Sequence, residues 1–124
     1  MLGRSLGDIL ANLFVLVDGL AVIGGGLTGA SKLYMPALID EIKNHAFTAP
    51  SDVKLKRIPQ RVFNYDDLSD KERFLEDSSK EIVVPGSDRK IFYNSEPKVA
   101  VATSRIGANR AIALGAYTYA IDNT

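Results

Sequence analysis

The chain has 124 residues, enough for one domain with one core and too few for two well-packed ones. It is 46% hydrophobic and 24% charged, an ordinary globular composition, and its fifteen basic residues balance fifteen acidic ones. No bulk field therefore draws it to nucleic acid or to an anionic membrane. With no cysteine and one histidine, it has neither a disulfide frame nor the ligands for a zinc site. A reducing cytoplasm is the expected compartment.

At the N-terminus, Arg4 and the apolar Ile9 to Val17 loosely imitate a secretory signal, but Asp8, Asn12 and Asp18 interrupt the run. No uncharged apolar stretch reaches the roughly 18 residues a membrane span requires. Ser5-Leu-Gly-Asp8 has capping-box spacing and predicts the start of a helix of about a dozen residues. Leu6, Ile9, Leu10, Leu13, Phe14 and Val17 give it one broad apolar face, and Asp18-Gly19 ends it. Leu20 to Ile23 follows as a short strand whose lack of polar alternation predicts cover on both faces.

That strand stops at Gly24-Gly25-Gly26, and a helical pattern resumes a few residues later. Strand, glycine turn and helix together make a place to lay a ligand. Glycines permit positive φ and remove the Cβ atoms that keep a ligand off the backbone, while the next helix offers unpaired N–H groups. Gly24, Gly26 and Gly29 spell G-x-G-x-x-G, yet a helix precedes the strand. The acids Asp40 and Glu41 lie inside a helical pattern, so a dinucleotide fold is not favoured. No Gly-Lys-Ser/Thr follows, which excludes a Walker loop.

Ser31 is the expected N-cap of a helix running to about His45, with Met35, Leu38, Ile39, Ile42 and Ala46 inward and Asp40, Glu41 and Lys43 outward. Pro36, one turn in, should loosen it. His45 is most simply a surface residue compatible with the helix dipole. Residues 47 to 52 make a loop, and Val53 to Arg57 and Arg61 to Tyr65 read as strands broken at Ile58-Pro59. The cluster Lys54, Lys56, Arg57 and Arg61 admits a phosphate-binding reading, but its alternation favours the solvated face of an edge strand. Residues 66 to 77 suggest a short solvated helix without chemistry.

Glu81 to Val84 and Arg89 to Tyr93 flank Pro85-Gly-Ser-Asp88, which predicts a hairpin. Lys98 to Thr103 reads as a second buried strand, leading through Ser104-Arg-Ile-Gly107 into a helix that ends near Ile121. That helix is rich in small residues, Ala108, Ala111, Ala113, Gly115, Ala116 and Ala120, which implies close approach to a neighbour.

Asn12 in an apolar helix, Leu20-Ala-Val-Ile-Gly-Gly-Gly26 and a Leu33-x-x-Pro36 helix together resemble the C-terminal part of the ROK family of sugar kinases and sugar-responsive repressors. Ser104-Arg-Ile-Gly107, Ala111 to Leu114 and Gly115-Ala116 resemble that family's closing strand and Gly-Ala helix. The likeness covers both ends, while 47–97 reads as a hairpin-bearing insertion. The resemblance implies an α/β fold, a partial actin-like (ribonuclease-H-like) ATPase lobe, with residues 1–124 as a single nucleotide-side domain. It also implies that Gly24, Gly25, Gly26 and Leu27 form the adenosine-side turn, with Thr28 and Ser31 joining by position.

The implied ligand is ATP or ADP, with magnesium arriving on the nucleotide and no zinc site. The implied reaction is phosphoryl transfer to a hexose hydroxyl, as in a glucokinase. The family's Asp-x-Gly-Gly-Thr phosphate loop, its Asn-Asp and Glu-x-x-His sugar motifs and its cysteine-rich segment are absent from this sequence. No catalytic residue is therefore assigned, the sugar site is expected outside this chain, and no turnover is expected from it alone. A homo-oligomer is expected as well. The other readings are a self-association module that uses the Ala/Gly face of the last helix, and a repressor remnant, for which no DNA-binding helix pair remains.

Overall fold

A computed structural model describes residues 1–44, 47–48, 50 and 54–124. The His45 and Ala46 assignments lie outside the described residues, as does Val53.

Helix α1 spans Leu2–Leu16 and starts earlier than the Ser5 capping box predicts. Ser5 lies inside it, its hydroxyl donating back to the Met1 carbonyl at 3.2 Å, the arrangement a serine adopts within a helix. The extra turn is held because Gly3 and Gly7 both sit on α2 (Ser31–Asn44) and are buried there. A Cβ on Gly3 would stand 2.5 Å from the Tyr34 carbonyl, and one on Gly7 would stand 2.7 Å from Glu41 Cβ. The two helices therefore cross at backbone contact.

The main sheet contains β1 (Leu20–Ile23), β7 (Lys98–Thr103) and β4 (Arg61–Asn64), in the order β1-β7-β4 and parallel throughout. Ala21 faces Val101 across one pair, and Val62 faces Val99 across the other. With Ile23 these side chains form the face packed on Ala11 and Phe14 of α1 and on Met35, Leu38 and Ile42 of α2. The central position of β7 explains its unbroken apolar run: Val99, Ala100 and Val101 are wholly buried. β1 does not share that cover. It is an edge strand whose Leu20 and Val22 are 43% and 59% exposed, so cover on both faces fails for it among the described residues.

Helix α2 runs through Pro36 without a break. The proline removes one backbone bond, but Met35, Leu38 and Ile42 bury around it and hold the axis. A short pairing of β2 (Phe47–Thr48) with β3 (Lys54–Leu55) follows, in place of the longer 53–57 strand. Helix α3 (Leu68–Leu75) is capped by Asp67, which accepts from the Ser69 and Asp70 amides. Its Phe74 stacks on Phe63 and Tyr65, each at 6.0 Å, and covers the other sheet face at β4. The predicted hairpin is β5 (Lys80–Val83) and β6 (Lys90–Tyr93), with Ile82 opposite Ile91 and Gly86 at φ 80° in the turn.

Helix α4 (Ala108–Asp122) buries none of its residues, and a Cβ on Gly115 would meet nothing within 4 Å. The close approach that its small residues imply is not made to any described part of this chain.

Candidate functional site at the carboxyl ends of the strands

Parallel strands end together, and the segments leaving them share one edge of the sheet, where ligands of open α/β sheets bind. Three segments meet there: the glycine turn after β1, residues 65–67 after β4, and Ser104–Gly107 after β7. The Ser104 amide donates to the Ile23 carbonyl at 2.8 Å, which ties the exits of β1 and β7. Asp66 ties β4 to β7, its carboxylate accepting from both the amide and the hydroxyl of Thr103.

Gly24 to Thr28 lie together in the turn. Gly25 has φ 99°, a value that side-chain-bearing residues rarely adopt, so its glycine is conformational. A Cβ added at Gly24, Gly25, Gly26 or Gly29 would meet no atom within 4 Å. Internal packing therefore does not require these glycines, and the space a ligand would use above the turn is open. A 3₁₀ turn over Gly26–Ala30 continues into α2, so Ser31 is already helical and does not cap it. Thr28 is committed to the turn, its hydroxyl donating to the Gly25 carbonyl at 3.0 Å. Leu27 is exposed.

Beside the start of α2 lies a cavity of about 400 Å³, walled by Met35 and Pro36 and rimmed by Lys32, Asn64, Asp66 and Thr103. Ser31 also lines it, but none of Gly24 to Thr28 does. Residues 66–77, expected as a solvated helix without chemistry, place Asp66 and Asp67 on this cavity. A polar run directly after a strand was the available signal, and its meaning depended on β4 being parallel to β1. Asp67 accepts from Ser69 and Asp70, and these bonds hold its carboxyl below the usual range. Its work is to cap α3.

The basic cluster divides, Lys56 and Arg61 lining one cavity while Arg57 turns inward. Arg57, whose side chain is 9% exposed, pairs with Asp8 and Glu41 and also reaches the Asp8 carbonyl, so it is an internal clamp and not a solvated edge residue. Arg61 on β4 pairs with Glu96. Among the described residues no group of three or more metal-binding side chains converges, and no helix is long and apolar enough to cross a membrane.

The fold is α/β, a parallel sheet with a β-hairpin, and it corresponds to part of an actin-like ATPase. The crystal structure of glucokinase from Parabacteroides distasonis ATCC 8503 is 37% identical to this chain and superposes with a TM-score of 0.71. The match covers 99% of this chain and 32% of that one, so the chain spans about a third of the length of the solved glucokinase. No protein-family model and no curated protein matches the sequence.

Proposed function

We propose that this chain is the nucleotide-side, C-terminal portion of an ATP-dependent sugar kinase of the ROK family, glucokinase-like, and inactive in phosphoryl transfer by itself. What carries the reading is that a match to a glucokinase at 37% identity covers 99% of the chain. Gly24, Gly25, Gly26, Leu27 and Thr28 would hold an adenine nucleotide, and the open space over the glycines fits that role. The turn would face the adenosine, and because the carboxylate of Asp66 suits hydroxyl donors and repels phosphate, the polyphosphate end is assigned to the phosphate loop outside this sequence. Bound ATP supplies the phosphoryl group, and its magnesium arrives with it. The chain's own residues supply binding and orientation, while the sugar site and general base are assigned to other segments of the kinase.

The test is the thermal melt of the purified chain with and without millimolar ADP or ATP and magnesium. A ligand confined to the folded state stabilises it by about 2.7 kcal/mol at a hundredfold excess over Kd, a rise of several degrees. No rise with either nucleotide would sink nucleotide binding by this chain, and hexose phosphorylation by the chain alone would sink the claim of inactivity.

A second reading rests on α4, whose Ile112, Tyr117 and Tyr119 are exposed on a helix that buries none of its residues. An apolar helix without cover suits self-association into a homo-oligomer. Loss of a dimer on Gly115→Leu, with the nucleotide shift retained, would favour it; a monomer in the unchanged chain would exclude it.

A further inference from the structure

We propose that the cavity between the end of α2, the approach to β4 and the outer side of α3 binds a phosphorylated small molecule, at a site separate from the glycine turn. Among the described residues, Lys43, Lys56, Arg61 and Arg73 line it against a single carboxylate, Asp70. In a chain of zero net charge such an excess at one cavity is not a by-product of composition. The one carboxylate is already engaged, Asp70 Oδ2 accepting from the Asn64 amide at 3.0 Å. Arg61 shares its charge with Glu96 and Arg73 acts on the Asp67 carboxylate, whereas Lys43 and Lys56 form no ion pair among the described residues.

Each cation has a simple explanation only when taken singly. The dipole of α2 accounts for Lys43 in its last turn, and protection of an edge strand accounts for Arg61. The dipole of α3 likewise accounts for Arg73 in its last turn, but no such effect accounts for Lys56 on the loop or for four cations from four segments lining one space. The cavity holds about 350 Å³, within the roughly 300–1,000 Å³ of small-molecule sites and more than a bare phosphate ion needs. Pro59 and Phe63 add apolar wall for the body of the molecule. The chemistry is that of a phosphate ester, its dianion held by lysine and arginine donors. The site lies beside Arg61, the first residue of β4, whereas the glycine turn lies where the parallel strands end. The site stands on its own geometry, and only the choice of a hexose phosphate as the probe rests on the kinase reading.

Isothermal titration of the full chain with glucose 6-phosphate, inorganic phosphate and glucose tests the site. Saturable binding of the ester is expected, with inorganic phosphate about tenfold weaker or more and glucose not bound. Lys56→Gln and Arg73→Gln, both at exposed positions, should each weaken the ester severalfold with an unchanged melting temperature, and Gly24→Ala should leave it unaltered. Failure of the ester to saturate, or an affinity in both glutamine variants unchanged from that of the original chain, would show cations that only guard a strand edge and would overturn the proposal. Inorganic phosphate binding as tightly as the ester would overturn the assignment to an ester.

Discussion

Asp66 grips Thr103 twice, its Oδ2 accepting from the backbone amide at 3.1 Å and from the hydroxyl at 2.6 Å. The two residues are 37 positions apart in sequence and stand where β4 and β7 end, so one carboxylate fixes the relative height of two strand exits. Charge-assisted bonds of this kind contribute about 1.5–3 kcal/mol when sheltered and less at an exposed carboxylate. Asp66→Ala should cost about 1 kcal/mol in urea unfolding, with Asp66→Asn recovering part of it because the amide oxygen still accepts. If Asp66→Ala leaves the midpoint unmoved, the clamp carries no stability.

The crossing of α1 and α2 is set by glycine. Gly7→Ala would gain about 1 kcal/mol of helix propensity in an exposed helix. Here its methyl would stand 2.8 Å from the Leu38 carbonyl and 2.7 Å from Glu41 Cβ. Forcing two packed helices apart costs about 1–3 kcal/mol, so the substitution should lower the melting temperature despite the better propensity. A rise in melting temperature would mean that the helices separate without cost.

Two neighbouring glycines separate conformation from ligand approach. Gly25 at φ 99° should resist alanine by about 1–3 kcal/mol through backbone strain. Gly24 has no such φ and open space around it, so Gly24→Ala should leave stability within about 0.5 kcal/mol. If nucleotide lies over the turn, Gly24→Ala should nevertheless reduce the ADP-dependent melting shift, because the methyl occupies the ligand's space. An undiminished shift in that variant places the ligand elsewhere.

Acid should weaken the fold through carboxylates held by hydrogen bonds. Glu96 is held below its ordinary 4.5 chiefly by the Arg61 guanidinium, then by Lys98, and Asp77 below its ordinary 3.8 by Ser79. A depressed folded-state value means that the stabilisation is complete above the unfolded value and disappears as pH falls through the folded one. Melting temperature should therefore be level above about pH 5 and fall progressively below about pH 4. Glu96→Gln should flatten part of that fall. An identical acid limb in the variant would remove Glu96 from the account.

The sequence by itself determined the local elements, since period and turn chemistry act between near neighbours. Leu20–Ile23, Lys98–Thr103, the hairpin around Pro85 to Asp88 and the short helix after Asp67 all form where the pattern places them. The glycine turn was legible for the same reason. Only the tertiary structure decided what each element faces. It placed β1 at an edge and β7 at the centre although both read as apolar runs, because burial depends on strand order and not on composition. It moved the start of α1 back to Leu2, where Gly3 and Gly7 meet α2, a contact between helices that local capping signals do not register. It turned Arg57 from an edge charge into a clamp between α1 and α2. It also left α4 without a neighbour among the described residues, because small side chains permit close approach but do not supply the surface approached.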